Sequence, residues 1–315
     1  MAVDIFGGST FGRGGSLRGP RGPQGAQGVR GESGIDTMCI WFPETMLKRY
    51  RQIEETMCLL LKNPNTDVTV KSGKVIEWKS RCVGKKMIGG VTSESSPSGS
   101  VIKVADKKYA LEFDNNVYIS DRLNFLPKAD RCTYVSVCIT FKTSGNHLEQ
   151  VLISNYRNNE SSTTAAPSSS SSSSSPSSYR EIKADGQNVY IVDVCENEST
   201  FVPIQCDTRT WTTVFVEWFH DNMKQHDGKD SSRGYYVILD TDGKEISKGD
   251  FTCCHMVKAA SLNGVSIGGR FDRTHTLTGA ISAVEVYISE NVDGARSLPC
   301  KLRRLITDDQ KMTLS

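Results

Sequence analysis

Glycine occupies positions 19, 22, 25, 28, 31 and 34, every third residue for six triplets, with Pro20 and Pro23 second in the first two. A strict Gly-X-Y period marks three polyproline-type strands wound together, because only glycine fits at the crowded shared axis. On that reading Gly19, Gly22, Gly25, Gly28, Gly31 and Gly34 are trimerisation residues, and everything downstream is present in three copies. At about 3.1 Å per residue the segment makes a rod of roughly 50 Å. No proline stands in a Y position, so hydroxyproline does not stabilise it, and so short a triple helix needs a neighbouring trimerisation element. The competing reading is a flexible Gly-rich leader, since Gly7, Gly8, Gly12, Gly14 and Gly15 keep no period.

Around this stalk (19–34) the chain divides by composition. Residues 1–18 read as a flexible tail, either disordered or docking a larger assembly through Ile5, Phe6 and Phe11. Residues 35–100 read as a helical neck and short strands. Pro43 can open a helix, and Met46, Tyr50, Ile53 and Met57 form one apolar stripe. That stripe packs on its own domain or on two copies of itself. Asp67–Val70 and Val75–Trp78 read as strands around a Ser-Gly turn, followed by a polar linker from Ser93 to Ser100.

From residue 101 the pattern is of strands. Tyr109–Phe113, Tyr134–Phe141, Gln150–Ser154, Asn188–Val194, Thr210–Phe219, Tyr235–Leu239, Val265–Gly268 and Ala280–Ile288 are separated by turn residues such as Asp185-Gly and Asp242-Gly. Many strands with no intervening helical period predict an antiparallel jelly-roll sandwich over 101–292. Inside it, 161–178 is serine-rich, too polar to order itself, and is read as a disordered loop within one domain. Residues 293–315 form a C-terminal tail.

Several of these strands carry a resemblance. Val265-Ser-Ile-Gly-Gly-Arg270 followed by Gly279-Ala-Ile-Ser-Ala-Val-Glu-Val-Tyr287 resembles the closing strands of laminin-G and concanavalin A-like domains. Trp211–Trp218, Tyr235–Gly243 and Leu111–Phe113 resemble earlier strands of that fold. The resemblance implies a mainly β, concanavalin A-like head behind a short collagen-like stalk and a helix. It is weakly informative about function, since the fold hosts lectins, receptors and glucanases. The boundary Gly34-Ile-Asp-Thr-Met-Cys-Ile-Trp-Phe-Pro43 is similar to collagen-like proteins of invertebrate genomes and their Polinton or adintovirus elements, which implies a trimeric attachment fibre.

Chemistry is sparse. Retaining glucanases of that fold place carboxylates as Glu-x-Asp-x-Glu on one strand, about 5 Å apart, and the chain has no such run. Glu217 and Glu285 stand alone and read as outward-facing strand residues. The five histidines join no nucleophile motif. Asp240-Thr-Asp-Gly243 reads as a hairpin turn rather than a calcium loop, and the adjacent Cys253 and Cys254 as thiols on opposite faces of a strand. No catalytic, cofactor or metal residue is assigned. The ten cysteines show no zinc spacing.

A formal charge of +2 argues against a nucleic-acid partner, and no apolar run reaches the 18 residues of a membrane helix. Met1–Gly8 has no signal-peptide pattern, yet triplets suit an exterior surface; assembly in the cytosol into a virus particle reconciles the two. The expected function is a non-enzymatic homotrimer, extracellular or on a virion, whose heads bind a glycan or protein receptor. The alternative is a structural matrix or capsid component without a specific ligand. Trp211, Trp218, Tyr235 and Tyr236 are available to a glycan, although core packing is the commoner fate of such residues, and the ligand-binding residues stay unassigned.

Overall fold

The computed structural model describes residues 57–62, 64–80, 90–93, 99–105, 108–120, 133–145, 148–156, 178–195, 198–220, 233–254 and 264–289. The tail, the Gly-X-Y segment, the expected helix up to residue 56, the serine run and residues 293–315 lie outside them. All described residues belong to one unit, Lys48–Ser315.

Within the described residues the secondary structure is entirely strand. In chain order these are β1 (Met57–Leu61), β2 (Val68–Lys71), β3 (Lys74–Lys79), β4 (Gly90–Ser93), β5 (Val101–Ala105) and β6 (Lys108–Asp114). Then come β7 (Tyr118–Ser120), β8 (Thr133–Thr143), β9 (Gln150–Ser154), β10 (Ser178–Ala184), β11 (Asn188–Cys195) and β12 (Glu198–Gln205). The last five are β13 (Thr212–His220), β14 (Arg233–Leu239), β15 (Glu245–Thr252), β16 (Val265–Ile267) and β17 (Thr278–Ser289). Met57, the last member of the expected helical stripe, opens a strand instead. Ser178, expected at the end of the disordered loop, is the buried first residue of β10.

The strands form two antiparallel sheets packed as a sandwich. The first has the order β15-β14-β13-β8-β17-β6-β5, and the second β12-β11-β10-β9-β16-β7-β4-β3-β2. β17 is long enough to take β8 along one side and two strands on the other, β6 against Thr278–Ile281 and β1 against Val284–Tyr287. The period-2 alternation of β8 sends Val135, Val137, Ile139 and Phe141 inward. They meet Leu152, Ile182, Val189, Ile191, Val265 and Ile267 of the second sheet in one cluster. Leu59, Leu61, Val75, Trp78 and Val91 join it, so strands from the 35–100 segment complete the sandwich begun by those beyond 101.

Turns follow the chemistry of their residues. Asp240 Oδ1 accepts from the amides of Asp242 and Lys244, and the Gly243 amide bonds the Asp240 carbonyl, which makes this stretch the β14–β15 hairpin turn. Asp185 Oδ1 does the same for Gln187 and Asn188 between β10 and β11. Gly268 has φ of +81°, and a Cβ there would lie 2.3 Å from the Phe113 ring. Glycine is therefore needed where the chain leaves β16 against β6.

The outward face of the first sheet differs from end to end. Ser136, Cys138, Phe215, Glu217, Glu285 and Tyr287 point outward yet are buried. Glu285 accepts from the Tyr287 hydroxyl at 2.5 Å, and Lys62 Nζ sits 2.7 Å from its other oxygen as an ion-pair contact outside hydrogen-bond alignment. Toward the opposite end, at Glu112 and Lys142, that face is open to solvent.

Candidate functional site

The open end of this face carries a groove of about 370 Å³ that crosses the strands, within the size range of small-ligand sites. Its principal side chains are Lys103, Val104, Glu112, Lys142, Trp211 and Ala280. Register explains why they meet. Ala280 of β17 pairs with Glu112 of β6 on one side and Lys142 of β8 on the other, so the three share a cross-strand row on one face. Trp211 immediately precedes β13, whose Thr212 pairs with Phe141, and this sets the indole at the level of Lys142. The row thus runs carboxylate, methyl, ammonium, indole.

The framework under the row is tightly fixed. A Cβ on Gly279 would come 2.2 Å from the Lys142 carbonyl oxygen, so only glycine lets β17 lie this close to β8 beneath the groove. The Thr143 amide donates to the Thr208 carbonyl at 2.8 Å and the Ser144 amide to the Thr278 carbonyl at 2.9 Å. Thr241 Oγ1 donates to the Trp211 carbonyl at 3.1 Å, and the Ser100 hydroxyl donates to the Glu112 carboxylate. A low floor at Ala280, a half-buried indole and two opposite charges match what a sugar ring offers: an apolar C–H face and a rim of hydroxyls.

A second polar cluster lies on the outward face of the second sheet. Arg270 makes a bidentate pair with Glu181, Nε to Oε1 at 2.7 Å and Nη2 to Oε2 at 2.9 Å. Glu181 also accepts from Ser154 Oγ at 2.7 Å and stands 3.4 Å from Lys183 Nζ. The guanidinium lies 4.2 Å from the Tyr156 ring centre and 5.9 Å from that of Tyr179, and the two rings meet edge to face at 5.0 Å. Tyr156 and Tyr179 flank the two ends of segment 157–177, and β9 and β10 on either side of it pair antiparallel. This cluster therefore clamps the base of that insertion, with two guanidinium donors of Arg270 engaged by Glu181.

Of the aromatic residues singled out from sequence, Trp211 reaches the groove. Trp218 is buried in the core beside Arg180, Tyr236 packs against the core, and Tyr235 sits outward on β14 away from the groove. Glu217 and Glu285 face outward but lie two strands and two residues apart, about 12 Å between Cα positions. Cys253 and Cys254 are buried thiols outside any disulfide, as are Cys138, Cys195 and Cys206. Lys142, Ala280 and Glu112 carry no local motif and are joined by strand register alone; the signal that could have found them is the glycine at 279.

No protein-family model matches the chain, and no curated protein matches it. Among solved structures it is similar to the binding domain of botulinum neurotoxin serotype D, with 11% identity, 83% of this chain and 53% of that chain covered, and a TM-score of 0.47. It is also similar to domain 4 of an extracellular arabinanase from Geobacillus stearothermophilus, in complex with arabinotriose (11% identity, 76% and 96% covered, TM-score 0.43). A third similar structure is the CBM40 of a Ruminococcus gnavus IT-sialidase bound to α2,3-sialyllactose (14% identity, 50% and 77% covered, TM-score 0.33). The chain spans about half the length of the toxin chains it matches.

Proposed function

We propose that the protein is a non-enzymatic, trimeric attachment protein on an extracellular or virion surface, whose concanavalin A-like heads bind glycan through the groove beside Trp211. The observation that carries the glycan reading is the row Glu112, Ala280, Lys142, Trp211, in which an aromatic wall and paired charges surround a shallow apolar floor. The Gly-X-Y triplets support the trimer. Three tethered heads convert weak single sites into strong multivalent attachment, a gain of about 10²–10⁴ without any new contact.

The test is a glycan array probed with the full-length protein, alongside Trp211→Ala and Ala280→Trp. The first variant removes the wall and the second fills the floor, and neither touches the inner core. Binding should fall by about tenfold or more in both, which corresponds to about 1.4 kcal/mol, with thermal unfolding of Trp211→Ala unchanged. An array silent for the wild-type protein would remove the glycan-binding role.

A further inference from the structure

We propose that the groove selects an acidic sugar residue, carboxylated or sulfated, with its anion on Lys142 and its ring against Trp211. This deepens the glycan-binding reading above and rests on it. Lys142 is the reason. It projects into the groove from β8 with Ala280 as its cross-strand neighbour, and among the described residues no carboxylate pairs with it. The nearest acid in the row, Glu112, is two strands away, about 10 Å by strand spacing. Its carboxylate already accepts the Ser100 hydroxyl. The two charges are therefore set apart across the floor with room between them for a sugar ring.

The arrangement also fixes direction. An anion at the Glu112 end meets like charge, whereas hydroxyls at that end find an acceptor. An anion at the Lys142 end forms a charge-assisted hydrogen bond beside the indole, where water is partly displaced. An acidic residue thus binds in one orientation, and a neutral sugar forgoes the Lys142 contact.

Saturation-transfer NMR titrations of the full chain with sialyllactose, its methyl ester, sulfated lactose and lactose test this. The expected result is at least about tenfold tighter binding of one or both acidic probes than of the ester and lactose, weakening with added salt. Lys142→Gln should bring that ratio to near one, and Lys142→Arg should keep it. Which acidic probe responds distinguishes carboxylate from sulfate. Equal binding of acidic and neutral probes, or an unchanged ratio in Lys142→Gln, would overturn the acidic preference while leaving a Trp211-dependent glycan site standing. Absence of binding by every probe, together with a silent glycan array, would overturn both readings.

Discussion

Glu181 has no solvent contact, and its negative charge is offset chiefly by the fork of Arg270. Removing one member of such a pair is far more damaging than replacing both, because the other is left charged in a site that water cannot reach. Arg270→Ala should destabilise the head by about 3 kcal/mol, seen as a lower urea midpoint, with Lys183 at 3.4 Å limiting the loss. Arg270→Met combined with Glu181→Leu should recover most of it. A second residue-scale expectation concerns the thiols. Burial pushes Cys206 up to about 12 and Cys254 up to about 11, and raises Cys253 as well. Unfolded cysteine titrates near 8.5, so between roughly pH 8.5 and 11 the unfolded chain sheds protons that the folded one keeps. Stability is therefore full below that window and declines through it, by up to about 1.4 kcal/mol per pH unit for each such thiol. Urea midpoints at pH 8 and pH 10 under reducing conditions should differ accordingly, and Cys206→Ala should shrink the difference. A midpoint flat across that range would contradict the burial of these thiols.

At the scale of elements, the insertion 157–177 leaves and re-enters the sandwich at adjacent positions on paired strands, closed by Tyr156, Tyr179 and Arg270. Loop-closure entropy grows only with the logarithm of length, so replacing these residues with about five Gly and Ser residues should stabilise the head by about 1 kcal/mol. Thermal unfolding checks this, and a large loss would show that the segment packs on the head. The same elements show what could be read from sequence. Strands with an apolar inner face, such as β8, β13 and β17, were legible from alternation. β12 and β15 were not, because they are outer strands that are largely exposed and keep no apolar alternation, with Phe201 and Ile246 open to solvent. β10 was missed for a different reason. Its Arg180, Glu181 and Lys183 look like a surface run, yet all three are buried and paired, Arg180 with Asp193 at 3.3 Å. The groove was legible only at Trp211, since strand register is a property of pairs of elements and leaves no mark in a single one.

For the whole molecule, the proposed function assigns copy number to the triplet segment and recognition to the sandwich, and it predicts that the two can be separated. Wild-type protein should sediment at three times the chain mass, whereas Gly25→Ala with Gly28→Ala should weaken or abolish the trimer by crowding the shared axis. Head stability should be unchanged, and array signal should fall through lost avidity rather than lost affinity. A monomeric wild type would sink the fibre architecture. The position of β17 has a further consequence. It is the last described strand in the chain, yet it lies between β8 and both β6 and β1, so without it the first sheet falls into three unconnected pieces, β15-β14-β13-β8, β6-β5 and β1. β16 likewise joins β9 to β7 in the second. During synthesis neither layer can knit together until residues 265–289 have cleared the ribosome, so the head is acquired late and all at once, after any amino-terminal winding has had time to begin.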